Sequence, residues 1–227
     1  MRHVRKRGQP RELLDWHAAN KAIPENLFYG RAGFPKAAVK QALLEEQCHL
    51  CAYTMIAIDG PNGCHIEHIL PQSLHPLRST DYANMLACYP HDAARDSAFG
   101  AIRKAGTDVA EAWFVSPLHA SCERHFSFRP NGTVKGNSPA AERTIALLAL
   151  DHSKLTSLRA AQISAYGYSL RGRFPVTAAE ARRTASEILK PDGEGRLAAF
   201  CVAIAQVALR YANAKEGRGA SLAARRS

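Results

Sequence analysis

The sequence predicts an α+β fold: a small strand, strand, helix centre tied by metal-ligand residues, with N-terminal helices before it and a C-terminal helical extension after it. Three observations predict it. Two x2-spaced pairs, Cys48 with Cys51 and Cys88 with His91, bracket short strand-like runs. Pro-Asn-Gly turn signals stand at 61–63 and at 130–132. Apolar residues recur at helical spacing before Cys48 and again from Ala140 onwards.

Composition narrows the function classes. The chain has 227 residues, of which 46% are hydrophobic and 22% charged, which excludes a fibre or a disordered tail. Thirty Lys and Arg against twenty Asp and Glu leave a net charge of +10, which favours polyanions such as nucleic acid or an anionic membrane surface. The most apolar run, Leu197 to Leu209, is too short to span a bilayer and contains Gln206. The N-terminal MRHVRKRGQP lacks the apolar core of a secretory signal, so a cytoplasmic protein is expected. In a reducing compartment the six cysteines do not suggest a disulfide framework, and the close Cys48 and Cys51 pair points to a metal or to redox chemistry.

Taken in order, a flexible basic arm (Arg2, Arg5, Lys6, Arg7) precedes a helix in RELLDWHAANKA that Pro24 stops. A second helix, PKAAVKQALLEEQ, starts at Pro35 and ends just before Cys48, so residues 1–47 form the arm and N-terminal helices. Ala52 to Ile58 and CHIEHIL read as a hairpin turning at 61–63, and DYANML and DAARDSAFGAIRKAG read as helical pieces around CYPH. These make a core at 48–106. Residues 107–214 hold a possible strand at AWFVSP, a second hairpin at CERHFSFRPNGTVKG, and helices at AAERTIALLALD, KLTSLRAAQISAYGYSL, TAAEARRTASEILK and from Gly195 to about Ala214. The remaining 215–227, a small, polar, basic tail, is expected to be disordered or to order on a polyanion or partner.

The chemistry is read from an ordered set: Cys48 and Cys51, then Glu67 and His68, then Asn84, then Cys88, His91 and Asp92. Tetrahedral zinc takes four Cys or His ligands, and Cys48, Cys51, Cys88 and His91 meet that need. A buried thiol or a satisfied histidine explains any one of them alone. Cleaving a phosphodiester requires an activated water and charge stabilisation at the phosphate. Neutral His68 suits the first task. Glu67 suits a Mg²⁺- or Mn²⁺-like ion, with Asp92 or His91 as a second ligand. Asn84 would hold the other nitrogen of His68 or its backbone. In an unbroken strand Glu67 and His68 point to opposite faces, so the strand must bend or end there, as Pro71 allows. His65 shares a face with Glu67 and reads as a strand histidine, with a phosphate contact or a supporting partner for the site also open; Cys64 reads as a buried thiol and Cys201 as helix core; Cys122 and His125 form a further x2 pair that could complete the zinc site instead.

The run HIEHILPQS, Asn84 in DYANMLAC and the flanking cysteine pairs resemble the HNH, or ββα-metal, nuclease superfamily. The wider layout, with MRHVRKRGQP, SPLHASCERHFSFRPNGTV and ERTIALLALDHSKLTSLR, resembles the HNH subunit of Septu-type and retron-associated anti-phage systems over roughly residues 1 to 165. The resemblance implies His68 as general base, Glu67 as a ligand of the catalytic metal and Asn84 as the orienting residue. Many HNH proteins end in Cys-x2-Cys-His, whereas this chain has Cys88-x2-His91-Asp92. The simplest mapping gives His91 to zinc and Asp92 to the catalytic ion; the alternatives give His91 to the catalytic ion or leave the zinc site degenerate. The implied partners are a nucleic-acid substrate, an ATPase subunit and a reverse transcriptase with its RNA or DNA product, and no membrane.

Two functions stand against each other. One is a metal-dependent endonuclease, acting on DNA by default with RNA also open. The other is a zinc-organised module that binds nucleic acid or protein without catalysis, which would have no need of Glu67, His68 and Asn84 together.

Overall fold

Apolar spacing at Leu13 and Trp16, and at Val39, Leu43 and Leu44, gives helices α1 (Arg11–Asn20) and α2 (Lys36–Glu46) one buried face each. Both form where the sequence predicts them. The structure is a computed structural model that describes residues 1–91, 98–109, 113–167 and 176–224, with backbone alone for 218–224. Among the described residues it is a mixed α+β fold of seven α-helices and two small antiparallel sheets. No helix among them is long and apolar enough to cross a membrane.

The first sheet corrects the expected hairpin. Strand β1 (His65–His68) pairs with β2 (Met85–Cys88), running from His65 opposite Cys88 to His68 opposite Met85. Residues 52–58 form no strand. Cys51 N–H bonds the Ile56 carbonyl at 2.8 Å and Met55 N–H the Cys51 carbonyl at 2.9 Å, folding the segment into a tight knuckle with Met55 at φ 62°. Only Leu50 and Ala57 form a bridge there. DYANML, read as helical, splits into a 3₁₀ turn at Tyr82–Asn84 and the strand β2. All four β2 side chains are buried, so no polar alternation marks it as a strand. The following helical piece lies partly outside the described residues; helix α3 (Ala101–Lys104) is its described end.

The second hairpin forms as expected. Strands β3 (Phe126–Phe128) and β4 (Val134–Gly136) pair antiparallel across the Pro-Asn-Gly turn. The stretch around Phe114 is not a strand; Val115 N–H instead bonds Thr144 Oγ1 at 2.8 Å, docking it on helix α4 (Pro139–Leu148). Helices α5 (Ser153–Ala165), α6 (Ala178–Glu187) and α7 (Cys201–Ala224) complete the fold, with α6 packed on α7. Thr177 and Glu180 close a capping box at the start of α6. Helix α7 continues to Ala224, through most of the segment read as a tail. Gln206 interrupts its apolar face for a reason: Nε2 donates to the Phe126 carbonyl at 2.9 Å and Oε1 accepts from Phe128 N–H at 3.2 Å, sealing the outer edge of β3.

The basic arm is docked rather than free. Val4 N–H bonds the Pro117 carbonyl at 2.8 Å, and Lys6 Nζ lies 2.5 Å from the buried Glu46 carboxylate and 3.0 Å from the Met85 carbonyl. Arg159, 2% exposed, donates to the carbonyls of Gly132 at 2.7 Å and Leu150 at 2.6 Å, tying the second hairpin's turn to α5. Burial lowers its guanidinium pKa to about 10.

That docking explains Gly132. Its φ is +80°, and a Cβ there would meet the Thr156 carbonyl and come within 2.7 Å of Ala160 N. Backbone cannot give way as a side chain does, so Gly132→Ala is expected to lose about 3 kcal/mol of unfolding free energy. Urea denaturation checks this, and a loss below about 0.5 kcal/mol would mean that the turn does not rest on α5.

Candidate active site at the end of the first sheet

His68 is the last residue of β1, so the strand ends where the geometry of Glu67 and His68 requires. The 69–84 connection then turns back to β2, and Asn84 closes it. Asn84 Oδ1 accepts from Leu70 N–H at 2.8 Å, Nδ2 donates to the carbonyls of Leu70 and Arg78 at 3.1 Å each, and its own carbonyl accepts from Ile69 N–H at 3.0 Å. Of the two roles expected for Asn84, holding backbone next to His68 is the one observed. It does not touch the ring.

The ring is held by the loop that Asn84 closes. His68 Nε2 lies 2.8 Å from the Ser79 carbonyl, Gln72 Nε2 lies 3.0 Å from Nδ1, and Tyr29 packs edge-on with ring centroids 4.9 Å apart. A carbonyl only accepts, so the neutral ring carries its proton on Nε2 and keeps the Nδ1 lone pair. Burial pulls the imidazole below its usual pKa, against the Ser79 hydrogen bond, which favours the charged form. The result is a neutral, oriented base.

Glu67 sits in a different environment. The residue is 9% exposed, and Lys104, wholly buried at the end of α3, places Nζ 2.9 Å from Oε1 and 3.0 Å from the His68 carbonyl. The Lys104 ammonium bonds this oxygen, and the Tyr53 hydroxyl lies against the same carboxylate. Burial raises the Glu67 carboxyl to about 7 in spite of Lys104. The charge of the carboxylate is therefore already countered inside the fold. Asp92, the expected second ligand, lies outside the described residues. Among the described residues no three His, Cys, Asp or Glu side chains converge on a common point that could hold a metal ion, so a divalent-ion site is not formed by them.

The zinc quartet is half assembled. Cys51 and Cys88 meet by a side-chain hydrogen bond, and Tyr89 N–H points at Cys51 Sγ from 3.3 Å. Burial opposes ionisation of Cys51, but hydrogen bonds from Cys88, Thr54 and Tyr89 outweigh it and bring the thiol down to about 5, while Cys88 is held high chiefly by burial. The two sulfurs thus lie in contact within a ring of hydrogen-bond donors. Cys48, at φ 50°, and His91 do not join it. His91 turns Nδ1 to the Cys64 carbonyl at 3.0 Å and to Lys40 Nζ at 3.2 Å. Lys40 also donates to the Pro61 carbonyl at 2.9 Å, so its ammonium holds together the segment that a fourth ligand would organise. The other x2 pair is no substitute, because Cys122 is buried against Pro117 and His125 bonds Ser121 and Ser138. His65 is the strand histidine expected, with Nδ1 2.5 Å from the Pro90 carbonyl.

Lys104, Ser79 and Gln72 were not singled out from sequence. Lys104 follows Arg103 at the end of a short helical run, with nothing to distinguish it from a surface lysine, and Ser79 acts through its carbonyl, which no side-chain pattern reports. Compared with known proteins, the chain matches no family model and no curated sequence.

Lys104→Met tests the pairing. Removing the ammonium pushes the Glu67 carboxyl further above its unfolded value of 4.5, so stability is retained at low pH and lost as pH rises through the folded value. In chelator-treated protein the expected loss is about 3 kcal/mol near pH 8 and less near pH 5, with most of it restored by adding Glu67→Gln. Urea titrations at both pH values check this; equal losses would separate Lys104 from Glu67.

Proposed function

We propose that the chain is an HNH-type endonuclease that hydrolyses phosphodiester bonds in nucleic acid, DNA by default and RNA by the same chemistry. One observation carries the reading: His68 is neutral, its Nε2 proton is committed to Ser79, and the loop that supplies Ser79 is closed by Asn84. Attack on phosphorus needs a water that loses its proton as it attacks, and Nδ1 of His68 is the acceptor. Gln72 donates to Nδ1 in the resting structure, so its amide has to give up that contact before Nδ1 can accept a proton from water. Ring orientation survives the step, because protonation at Nδ1 leaves the Nε2–H bond to Ser79 in place. Divalent-ion dependence rests on the resemblance, and no step is assigned to Mg²⁺ or Mn²⁺.

Support for a structural zinc is confined to Cys51, Cys88 and the donors around them. The net charge of +10 favours a polyanionic substrate. Leu74 and Leu77 stand exposed on the loop beside the site, apolar surface of the kind a protein partner covers, which suits the ATPase subunit or reverse transcriptase implied by the resemblance. A second reading, a binding module without catalysis, is favoured by the Lys104 ammonium already neutralising Glu67.

His68→Ala separates the two. Cleavage is expected to fall by about a hundred- to ten-thousand-fold, with melting temperature and nucleic-acid binding close to the parent. Gel assays with Mg²⁺ or Mn²⁺, on the isolated chain and with any ATPase partner, read the result. Undiminished cleavage by the variant would refute His68 as the base. For zinc, elemental analysis of freshly purified protein is expected to find about one equivalent, lost in Cys51→Ser with Cys88→Ser. Less than about a tenth of an equivalent in the parent, with folding unchanged by chelation, would remove zinc from the reading.

A further inference from the structure

A cavity of about 730 Å³ lies between the 69–84 loop and the segment around 114–125, within the size range of small-molecule sites. His68 does not line it, although Asn84, whose side chain closes the loop, does. The walls divide by chemistry. Ile69, Val109, Val115 and Leu118 are apolar, whereas Arg78, His119 and His125 bring nitrogen donors. No carboxylate is among the described lining residues.

The polar groups are arranged rather than scattered. Arg78 bonds Asp81 through Nε at 2.7 Å, which fixes the guanidinium plane and leaves its terminal nitrogens for another acceptor. His119 Nδ1 lies 2.8 Å from Ser121 Oγ, and that hydroxyl lies 3.4 Å from His125 Nε2, so two imidazoles are linked through one serine. The other nitrogen of His125 is 3.4 Å from the hydroxyl of Ser138, which caps α4. An apolar wall beside the remaining guanidinium and imidazole donors suits a ligand with a flat, weakly polar part joined to an anion. A simple anion would leave the wall uncovered.

We propose that this cavity binds a nucleotide, the base against Val109, Val115 and Leu118 and the phosphate by Arg78 and His119. The site is separate from His68 and does not depend on the chain being a nuclease. Its ligand is either a free nucleotide or one residue of a single strand, two sources of the same chemistry.

Calorimetry on the full chain distinguishes them, using AMP in one arm and a short single-stranded oligothymidylate in the other. Binding of AMP alone identifies a free nucleotide, and binding of the oligonucleotide alone identifies a strand. In either case Ala83→Trp, which places a large ring at the cavity wall, and the double variant Arg78→Gln with His119→Gln are expected to weaken binding by about tenfold or more, with far-UV circular dichroism unchanged. Should Ala83→Trp fail to fold, the double variant decides. His68→Ala is expected to bind as the parent does, so a failed nuclease assay leaves this result untouched. The proposal is overturned if the parent binds neither probe, or if the double variant binds as tightly as the parent.

Discussion

The geometry at the end of the first sheet depends on one side chain, Asn84. Its amide engages the 69–84 connection at Leu70 and Arg78, and its main chain accepts from Ile69. Those bonds turn a long link between two short strands into a rigid lobe. Ser79 is carried on that lobe, and through the Ser79 carbonyl the His68 ring acquires both a direction and a tautomer. Asparagine suits the task because one planar group offers donors and an acceptor at once, where aspartate could only accept. The histidine is thus aligned by peptide groups, and the asparagine acts at one remove from it.

Buried cations form a second layer of organisation. Lys6 on Glu46, Lys104 on Glu67, Lys40 on backbone carbonyls and Arg159 on two further carbonyls are all consumed inside the fold. The formal charge of +10 therefore overstates what the surface presents. Charge counts report what a chain carries and are silent about where it is spent. Lys104 also shows why: its partners are the side chain of Glu67 and the carbonyl of His68, more than thirty residues away in sequence.

How far the fold was legible follows from the kind of signal each element sends. Helices with a stop, a capping residue or a clean apolar stripe, such as α1 before Pro24 and α6 behind Thr177, were readable because local chemistry sets their ends. The second hairpin was readable because Pro-Asn-Gly demands a turn. Strand β2 was not, since a short run buried at every position has no period to reveal it. The segment after Cys51 misled because its short, nearly continuous apolar run is strand-like in composition, while hydrogen bonds at the Cys51 peptide group and sulfur fold it into a knuckle. At the candidate site, type and order single out His68 and Asn84, while the groups packed around them, a carbonyl and a buried ammonium, carry no motif.

Gln206 has a consequence for how the chain is made. The edge of β3 that it covers is formed 78 residues earlier in sequence. During synthesis from the N-terminus, the hairpin can close as soon as its turn emerges, but its outer N–H and C=O groups stay open until α7 has left the ribosome. Over that interval the hairpin is an unprotected β-edge, the kind of surface that pairs with neighbouring chains. Completion of α7 ends that exposure, so the last long helix serves the nascent chain as the guard of a strand made well before it.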